Sequence, residues 1–392
     1  MTKIVLKSLK MINFKGAEDF KIDFGEWETF IYGRNGAGKS RIMDAYLWLL
    51  FGKDAQNREN YKVRTIIENE PLHHVECSVT GELTVDGELL TLKRAFNEIW
   101  ATPKSEVEEV FKGNETLFYW NGTPISATDY KKRISQIMPE DILKIVTNSQ
   151  YFCTMLKWDK MREYLMLMAG MPDEEEIFAA NPELGKLKGL MAGKSFEDYK
   201  GMLKAQKKDL HDELATLDMK ITQAKMVLKD NLICPMYGIS CSDTTALERF
   251  KEGNGKDIVK RLVNAGRELA QQIAEIERQE MLIEKYCRAM VKAIEPRINA
   301  LFSHVQFQLF EYTQDGKEVE CCNPVMDGVP FGALNNEAQV NAGIDIINKF
   351  SEFYGVSAPL FVDNRESILN LCPTEAQTIN FIVSKCDLQS RY

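Results

Sequence analysis

Thr29-Phe30-Ile31-Tyr32 leads directly into Gly33-Arg34-Asn35-Gly36-Ala37-Gly38-Lys39-Ser40, a short apolar run feeding a glycine-rich turn that ends in Lys-Ser. The turn fits the pattern G-x-x-x-x-G-K-[ST]. Each residue type matches what a triphosphate requires. Gly33, Gly36 and Gly38 let the backbone take positive φ and approach oxygen atoms that a Cβ would push away. The freed amides form an anion nest, and the following helix adds the positive end of its dipole. Lys39 brings a mobile charge to the β- and γ-phosphates, and Ser40 offers a hydroxyl to Mg²⁺. The pattern needs a strand before it and a helix after it. Phe30-Ile31-Tyr32 reads as the strand, and Ile42, Ala45, Tyr46, Leu49 and Leu50 recur at helical spacing. An ordinary glycine turn is the competing reading.

The 392 residues, 44% of them hydrophobic, are enough for two or three domains with sizeable cores. Charged residues interrupt Met1 to Lys21, and no later stretch reaches membrane-spanning length, so a cytoplasmic setting without membrane contact is expected. Nine cysteines, an odd number spread along the chain, indicate reduced thiols rather than a disulfide framework. Four histidines, two of them adjacent at His73-His74, are too few and too scattered for the metal cluster of a nuclease. The net charge of −9 gives no global reason to expect nucleic-acid binding and leaves only a local basic face.

Upstream of the loop, Ile4 to Ile12 and the alternating Phe20 to Gly25 predict an antiparallel pair of strands around Asn13-Phe14-Lys15-Gly16. Downstream, strands are expected at Val75 to Val79, Glu82 to Val85 and Leu89 to Ala95, the last two joined by an Asp86-Gly87 hairpin turn. Further alternation at Glu106 to Phe111 and Thr116 to Trp120 extends this wing. From Phe196 the period changes: Leu203, Leu210, Leu217 and Ala224 repeat every seven residues, with Leu214, Ile221 and Leu228 between them. That is an a/d seam interrupted by Lys207, on a helix reaching Lys229. Leu262, Leu269, Ile276 and Ile283 form a second stripe of the same period. Breakers between Cys234 and Cys241, and at residues 253–255, join the two helices into an antiparallel coiled-coil hairpin. Two helices of a compact bundle are the alternative. Beyond Glu295-Pro296, strands are expected at Val305 to Tyr312 and Lys317 to Cys321, and a helix at Ala342 to Phe353. A strand at Pro359 to Val362 then ends in Asp363, and Ile379 to Val383 reads as a last buried strand.

The chain resembles the SMC/SbcC/RecF group of ABC-type ATPases that act on DNA, and especially short SbcC-like versions found in phages and mobile elements. The residues that carry the resemblance are Asn13-Phe14-Lys15-Gly16, the phosphate loop with Asp44-Ala45 and Trp48 to Gly52 after it, and Pro359 to Glu366. It implies an α/β fold in which an ABC-type P-loop ATPase head is split into N- and C-terminal lobes with an antiparallel coiled-coil hairpin inserted. Residues 1–190 and 293–392 would be the lobes and 191–292 the hairpin. The resemblance implies ATP and Mg²⁺ as cofactors. Nucleotide contacts would come from Gly33, Arg34, Asn35, Gly36, Ala37, Gly38, Lys39, Ser40 and Arg41, with Lys15 approaching the phosphates. Asp363 would hold Mg²⁺ with Ser40, and Gln150 would sense the metal and the attacking water. The signature loop, Leu334-Asn335-Asn336-Glu337, would close over the nucleotide of a second copy, giving a homodimer on ATP binding.

Three departures from the family pattern bear on catalysis. Asn364 follows Asp363 where a glutamate base is usual, and an amide cannot accept a proton as a general base. Glu366 lies two residues beyond Asn364, would face the same way as Asn364 if the strand continued, and is the candidate substitute. Asn335-Asn336 stand where Ser-Gly-Gly is usual, and no histidine lies near Val383-Ser384. Slow ATP hydrolysis follows as the expectation, because positioning and electrostatics carry most of phosphoryl transfer. Cys234 and Cys241 sit where relatives carry a zinc-hook pair, so Zn²⁺ at the tip is expected on one reading and a plain turn with free thiols on the other.

Two functions compete. In the first, the protein is an ATP-gated DNA clamp in recombination or double-strand-break repair that controls a separately encoded, SbcD-like nuclease, with Lys200, Lys204, Lys207 and Lys208 contacting DNA phosphates. Those lysines read equally as a solvated helix face. In the second, it is a scaffold or sensor ATPase of a mobile-element defence system acting through a protein partner. A self-contained kinase or nuclease fits poorly, since no lid-type arginine cluster or acidic metal cluster is present in the sequence.

Overall fold

The computed structural model describes residues 1–59, 61–67, 70–102, 109–230, 255–313, 315 and 318–392. They form two compact units, one of Met1–Gly170 with Glu295–Tyr392 and one of Met171–Ile294.

In the first unit, β1 (Thr2–Phe14) pairs antiparallel with β2 (Ala17–Asp23), placing Leu9 opposite Ile22 and Met11 opposite Phe20. Asn13, Lys15 and Gly16 have positive φ, so the turn between the strands is built from left-handed residues. Strand β3 (Glu28–Gly33) buries Thr29, Ile31 and Gly33 in alternation. It pairs parallel with Thr378–Val383, which pairs parallel with Leu360–Val362, while Gln389–Arg391 closes the other edge antiparallel. Strands buried on both faces read as continuous apolar runs, as Leu360-Phe361-Val362 does. One four-stranded sheet thereby unites the phosphate-loop strand near the start of the chain with the strand that ends at Asp363.

Helix α1 (Lys39–Phe51) follows the loop and is apolar nearly all round, burying Ile42, Ala45, Tyr46, Leu47, Trp48, Leu49 and Leu50. Each such side chain contributes roughly 1.5–3 kcal/mol on burial. Packing, rather than the propensity of thirteen residues, therefore holds the helix.

The wing is a seven-stranded sheet in which β1 lies between Val356–Ser357 and Cys77–Val85, followed by Glu88–Ala101, Val110–Trp120 and Thr123–Ile125. Asp86 and Gly87 both have positive φ and form the expected hairpin turn. The expected break between Val79 and Glu82 does not occur, because Cys77–Val85 is one strand. Gly81 lies where a Cβ would stand 2.5 Å from the Leu49 side chain of α1, so it admits the helix without ending the strand. Val110–Trp120 is likewise a single strand, and residues 106–108 of the expected Glu106 to Phe111 strand lie outside the described residues. The strands Gln306–Tyr312, Glu318–Met326 and Val329–Pro330 form a separate sheet, with Gly316 and Lys317 outside the described residues. The helix expected from Ala342 begins earlier and spans Asn336–Tyr354.

The second unit is built on the 35-residue helix Phe196–Asp230 and on residues 255–294 of the helix Gly255–Asn299. Contacts between the two run in opposite directions: Phe196 stacks on Tyr286, the Tyr199 hydroxyl donates to Gln279 over 2.8 Å, and Gly266 lies against Leu214, Leu217 and Ile221. That is an antiparallel hairpin. The expected seam is its core, with Leu203, Ile221, Ala224, Leu269, Ile276 and Ile283 buried. Lys207, the interruption in the seam, meets Glu280 at 2.8 Å and Glu277 at 3.2 Å on the other helix. At the base, Ile177, Leu184, Leu187 and Met191 pack on Tyr199, Leu203 and Tyr286, so residues 174–190, placed with the N-terminal lobe on sequence alone, pack with the hairpin. Cys234, Cys241, and Gly253 and Asn254 of the breaker at 253–255 lie outside the described residues.

Candidate nucleotide site

Between the end of β3 and the start of α1 the loop takes the shape its glycines permit. Gly36 (φ 79°) and Gly38 (φ 98°) are left-handed, and a Cβ on Gly33 would sit 3.2 Å from Ala37 and from Leu388. The Ala37 amide donates to Arg34 O at 3.0 Å. Buried Lys39 lays its Nζ across the loop, donating to Gly33 O at 2.7 Å and Arg34 O at 3.1 Å. No acidic residue occupies the first turn of α1, so the positive end of its dipole is left for an anion.

A cleft of about 380 Å³ opens above this loop. Asn35, Gly36 and Gly38 to Arg41 form its floor, Lys15 and Asp44 line it from the β1–β2 turn and α1, and Asp363, Asn364 and Val383 line it from the ends of two parallel strands. Ser40 and Asp363 thus come from opposite ends of the chain to one cavity. A hydroxyl and a carboxylate are the hard oxygen donors that Mg²⁺ takes beside nucleotide phosphates, and the open left-handed Gly36, with nothing within 4 Å of its Cβ position, leaves room for those phosphates.

Lys15 is less free than the sequence implies. Its Nζ is 2.5 Å from Asp44 Oδ2, and Asp44 Oδ1 also accepts from the Ala55 amide at 2.9 Å. The backbone of the turn is held as well, Lys15 N by Val63 O and Gly16 N by the Thr65 hydroxyl.

The remaining expected residues do not line the cleft. After Val362 the strand ends: Asn364 is left-handed (φ 50°), and Arg365–Ser367 form a 3₁₀ turn. Glu366 therefore does not share a strand face with Asn364, and its carboxylate accepts from the Val383 amide at 3.1 Å. Gln150 begins the short helix Tyr151–Met155, its amide donating to Asn148 Oδ1 at 3.0 Å. A parallel bridge between Asn148 and Phe361 sets this segment beside the strand that carries Asp363. In the signature segment, Asn335 Oδ1 accepts from Ala338 N at 2.9 Å and caps the helix Asn336–Tyr354, which is why that helix starts so early. Asn336 donates to the Ser367 hydroxyl and Glu337 accepts from Asn370 N, so the segment is fastened to residues 367–370.

Several participants escaped sequence reasoning. Asp44 as partner of Lys15 and Asn364 and Val383 as cleft walls are set by tertiary contacts and left no local signal. Away from the cleft lining, the Lys144 Nζ, buried and pointed at Asn57 Oδ1 (2.6 Å) and Glu140, was legible in part from the Glu140–Lys144 spacing of four on one helix. Lys207 is neutralised by Glu277 and Glu280, whereas Lys200, Lys204 and Lys208 are exposed.

A family model described as an AAA domain matches residues 8–306. The chain belongs to that family. Curated proteins that it is similar to are RecF, Rad50 and Smc proteins. It is 31% identical over 88 residues (22% of this chain, 25% of the relative) to the DNA replication and repair protein RecF of Carboxydothermus hydrogenoformans. It is 34% identical over 119 residues (30% of this chain, 12% of the relative) to the DNA double-strand break repair Rad50 ATPase of Archaeoglobus fulgidus. The chain thus spans a quarter or less of the length of these relatives. Among solved structures, the Smc head domain of Pyrococcus furiosus with an extended coiled coil, bound to the C-terminal domain of ScpA, aligns at 15% identity with a TM-score of 0.44, covering 97% of this chain and 90% of that one. Among the described residues, no helix is long and apolar enough to cross a membrane.

Proposed function

We propose that this chain binds ATP with Mg²⁺ in the cleft above Gly33 to Ser40, hydrolyses it slowly, and dimerises around it as a cytoplasmic DNA clamp in recombination or double-strand-break repair, gating a separately encoded nuclease. The observation that carries the reading is the arrival of Asp363 in the cavity that holds Ser40. Lys39 would move from the Gly33 and Arg34 carbonyls to the phosphates, Ser40 and Asp363 would hold the metal, and Gln150 would approach from beside the Phe361 strand. Bound Mg²⁺ would draw charge from the transferring phosphoryl group. Asn364 lines the cleft with an amide that cannot serve as base, and the Glu366 carboxylate is engaged by the Val383 amide. Both favour slow turnover. The Asn335–Glu337 segment would reach the nucleotide of the second copy.

One observation favours the other reading, a scaffold or sensor ATPase with a protein partner: Lys207, one of four lysines proposed to contact DNA, is neutralised inside the hairpin. Light-scattering mass during size exclusion, with and without ATP, tests the dimer, and ATP-dependent DNA binding tests the clamp. A dimer that forms with ATP, persists in Glu366→Gln and is lost in Lys39→Ala supports the reading. A monomer under every condition contradicts it. A nucleotide-dependent dimer without DNA affinity selects the protein-partner alternative.

A further inference from the structure

The segment that holds Gln150 is tied back to the cleft through a single turn of the chain. It follows the helix Glu140–Thr147, which carries a buried cation, Lys144, whose Nζ donates to Asn57 Oδ1 at 2.6 Å and pairs with Glu140. Burial pulls the pKa of Lys144 down against the pull of Glu140, so these contacts offset a desolvation cost. Asn57 is left-handed (φ 62°) and belongs to a turn that buried Asp54 folds. One Asp54 oxygen accepts from the Gln56 and Arg58 amides, and the other from the Arg58 guanidinium. On the cleft side of the same turn, the Ala55 amide donates to Asp44 Oδ1 at 2.9 Å, while Asp44 Oδ2 meets Lys15. The turn also stands against the residues around Gln150. Ala55, Asn57 and Lys144 share a void of only about 10 Å³ with Asn148 and Tyr151, too small for more than one water.

We propose that the turn Asp54–Arg58 couples the cleft to Gln150, with Asn57 and Lys144 as positioning residues for hydrolysis. Neither of the two lines the cleft, so their effect passes through the helix that leads to Gln150. Asp44, which does line it, fixes one side of the turn, and Lys144 fixes the other. A rearrangement of the Lys15–Asp44 pair around bound phosphates thereby reaches Gln150 by a route separate from the strand that carries Asp363. A turn that only stabilised the protein would lower its melting temperature and leave the turnover of folded molecules unchanged. This inference rests on the nucleotide-binding reading above and on the role that reading gives Gln150.

Steady-state ATP hydrolysis by the full chain with Mg²⁺, at one fixed protein concentration, tests it. Asn57→Gly removes the acceptor and leaves the left-handed backbone unstrained. Lys144→Met removes the donor, while Glu140 retains Lys53 at 2.9 Å. Each is expected to lower kcat roughly tenfold or more with KM for ATP within about twofold of wild type, the pattern of a contact that matters only in the transition state. Asn57→Asp, which keeps an oxygen for Lys144 and tolerates positive φ, should retain most of the wild-type rate. In a Gln150→Ala background Asn57→Gly should cost little more, because both changes remove the same positioned side chain. Thermal melting confirms that each variant is folded, and if Asn57→Gly is not, Lys144→Met carries the test. Folded variants with kcat within about twofold of wild type, or losses that add in full to that of Gln150→Ala, would overturn the proposal. A wild type that does not hydrolyse ATP, or a Gln150→Ala variant that turns over at the wild-type rate, removes the role of Gln150 and this inference together. Slow turnover in Gln150→Ala beside wild-type turnover in Asn57→Gly and Lys144→Met removes this inference alone.

Discussion

Asp363 and Glu366 lie three residues apart and are positioned by different means. Asp363 is the first residue beyond a fully buried strand whose parallel neighbour, Thr378–Val383, pairs in turn with β3, so the sheet that aims the phosphate loop also aims the carboxylate. Glu366 sits on a 3₁₀ turn and is fixed by a single hydrogen bond to the Val383 amide. The same division separates the cleft from its surroundings. Cleft residues inherit their places from buried strand ends, whereas Gln150 and Asn335–Glu337 depend on caps and close approaches on turns. The first kind of placement withstands the loss of any one surface contact. The second does not.

The largest effect on that second kind should come from Gly343. A Cβ there would lie 1.9 Å from the Ser149 carbonyl oxygen, where the helix Asn336–Tyr354 backs onto the segment before Gln150. Backbone cannot yield as a side-chain tip can, so Gly343→Ala should destabilise the protein by about 3 kcal/mol or more in chemical denaturation. A loss below about 1 kcal/mol, the ordinary cost of a point mutation, would mean that the helix and the loop are not so closely apposed. Asn335→Ala should have a middling effect, about 1 kcal/mol, through loss of the cap to Ala338, and Asn335→Ser should retain most of it. Nucleotide affinity of the isolated monomer should not change in either Asn335 variant. A fall in that affinity would show that the signature segment serves its own cleft.

The smallest effect concerns the wing. Burial would raise the pKa of Glu98, but hydrogen bonds from the His74 amide, His73 and Trp100 and the charge of Arg64 outweigh it and bring the value down to about 2. A carboxylate with a depressed folded pKa contributes stability that is complete above its unfolded value of 4.5 and is lost as the pH falls towards 2. Denaturation at several pH values should show wild type losing stability across that window and Glu98→Gln losing less. Parallel curves for the two would remove the assigned role.

How far these features could be read in the sequence follows the same line. The phosphate loop, the Asp86-Gly87 turn and the heptad seam are local patterns, and each is where periodicity or turn chemistry puts it. The continuity of Cys77–Val85 through Gly81 was not legible locally, because the residue that requires the glycine, Leu49, lies on a helix about thirty residues earlier. Glu366 was expected on the face of Asn364 on the premise that the strand continued, and the left-handed Asn364 ends it. The early start of the helix at Asn336 went unread because Asn335-Asn336-Glu337 looks like a loop until its cap is seen. Lys207 read as an exposed cation because its partners, Glu277 and Glu280, come about seventy residues later on the other arm.

The central claim is that two distant parts of the chain build one metal–nucleotide site, and the Mg²⁺ dependence of ATP binding in Asp363→Asn tests it most directly. Titration calorimetry of wild type and variant, each with Mg²⁺ and with EDTA, gives the comparison. The account predicts that Mg²⁺ strengthens ATP binding to wild type, that this gain largely disappears in Asp363→Asn, and that metal-free affinity is nearly the same in both. An undiminished Mg²⁺ gain in Asp363→Asn would contradict it.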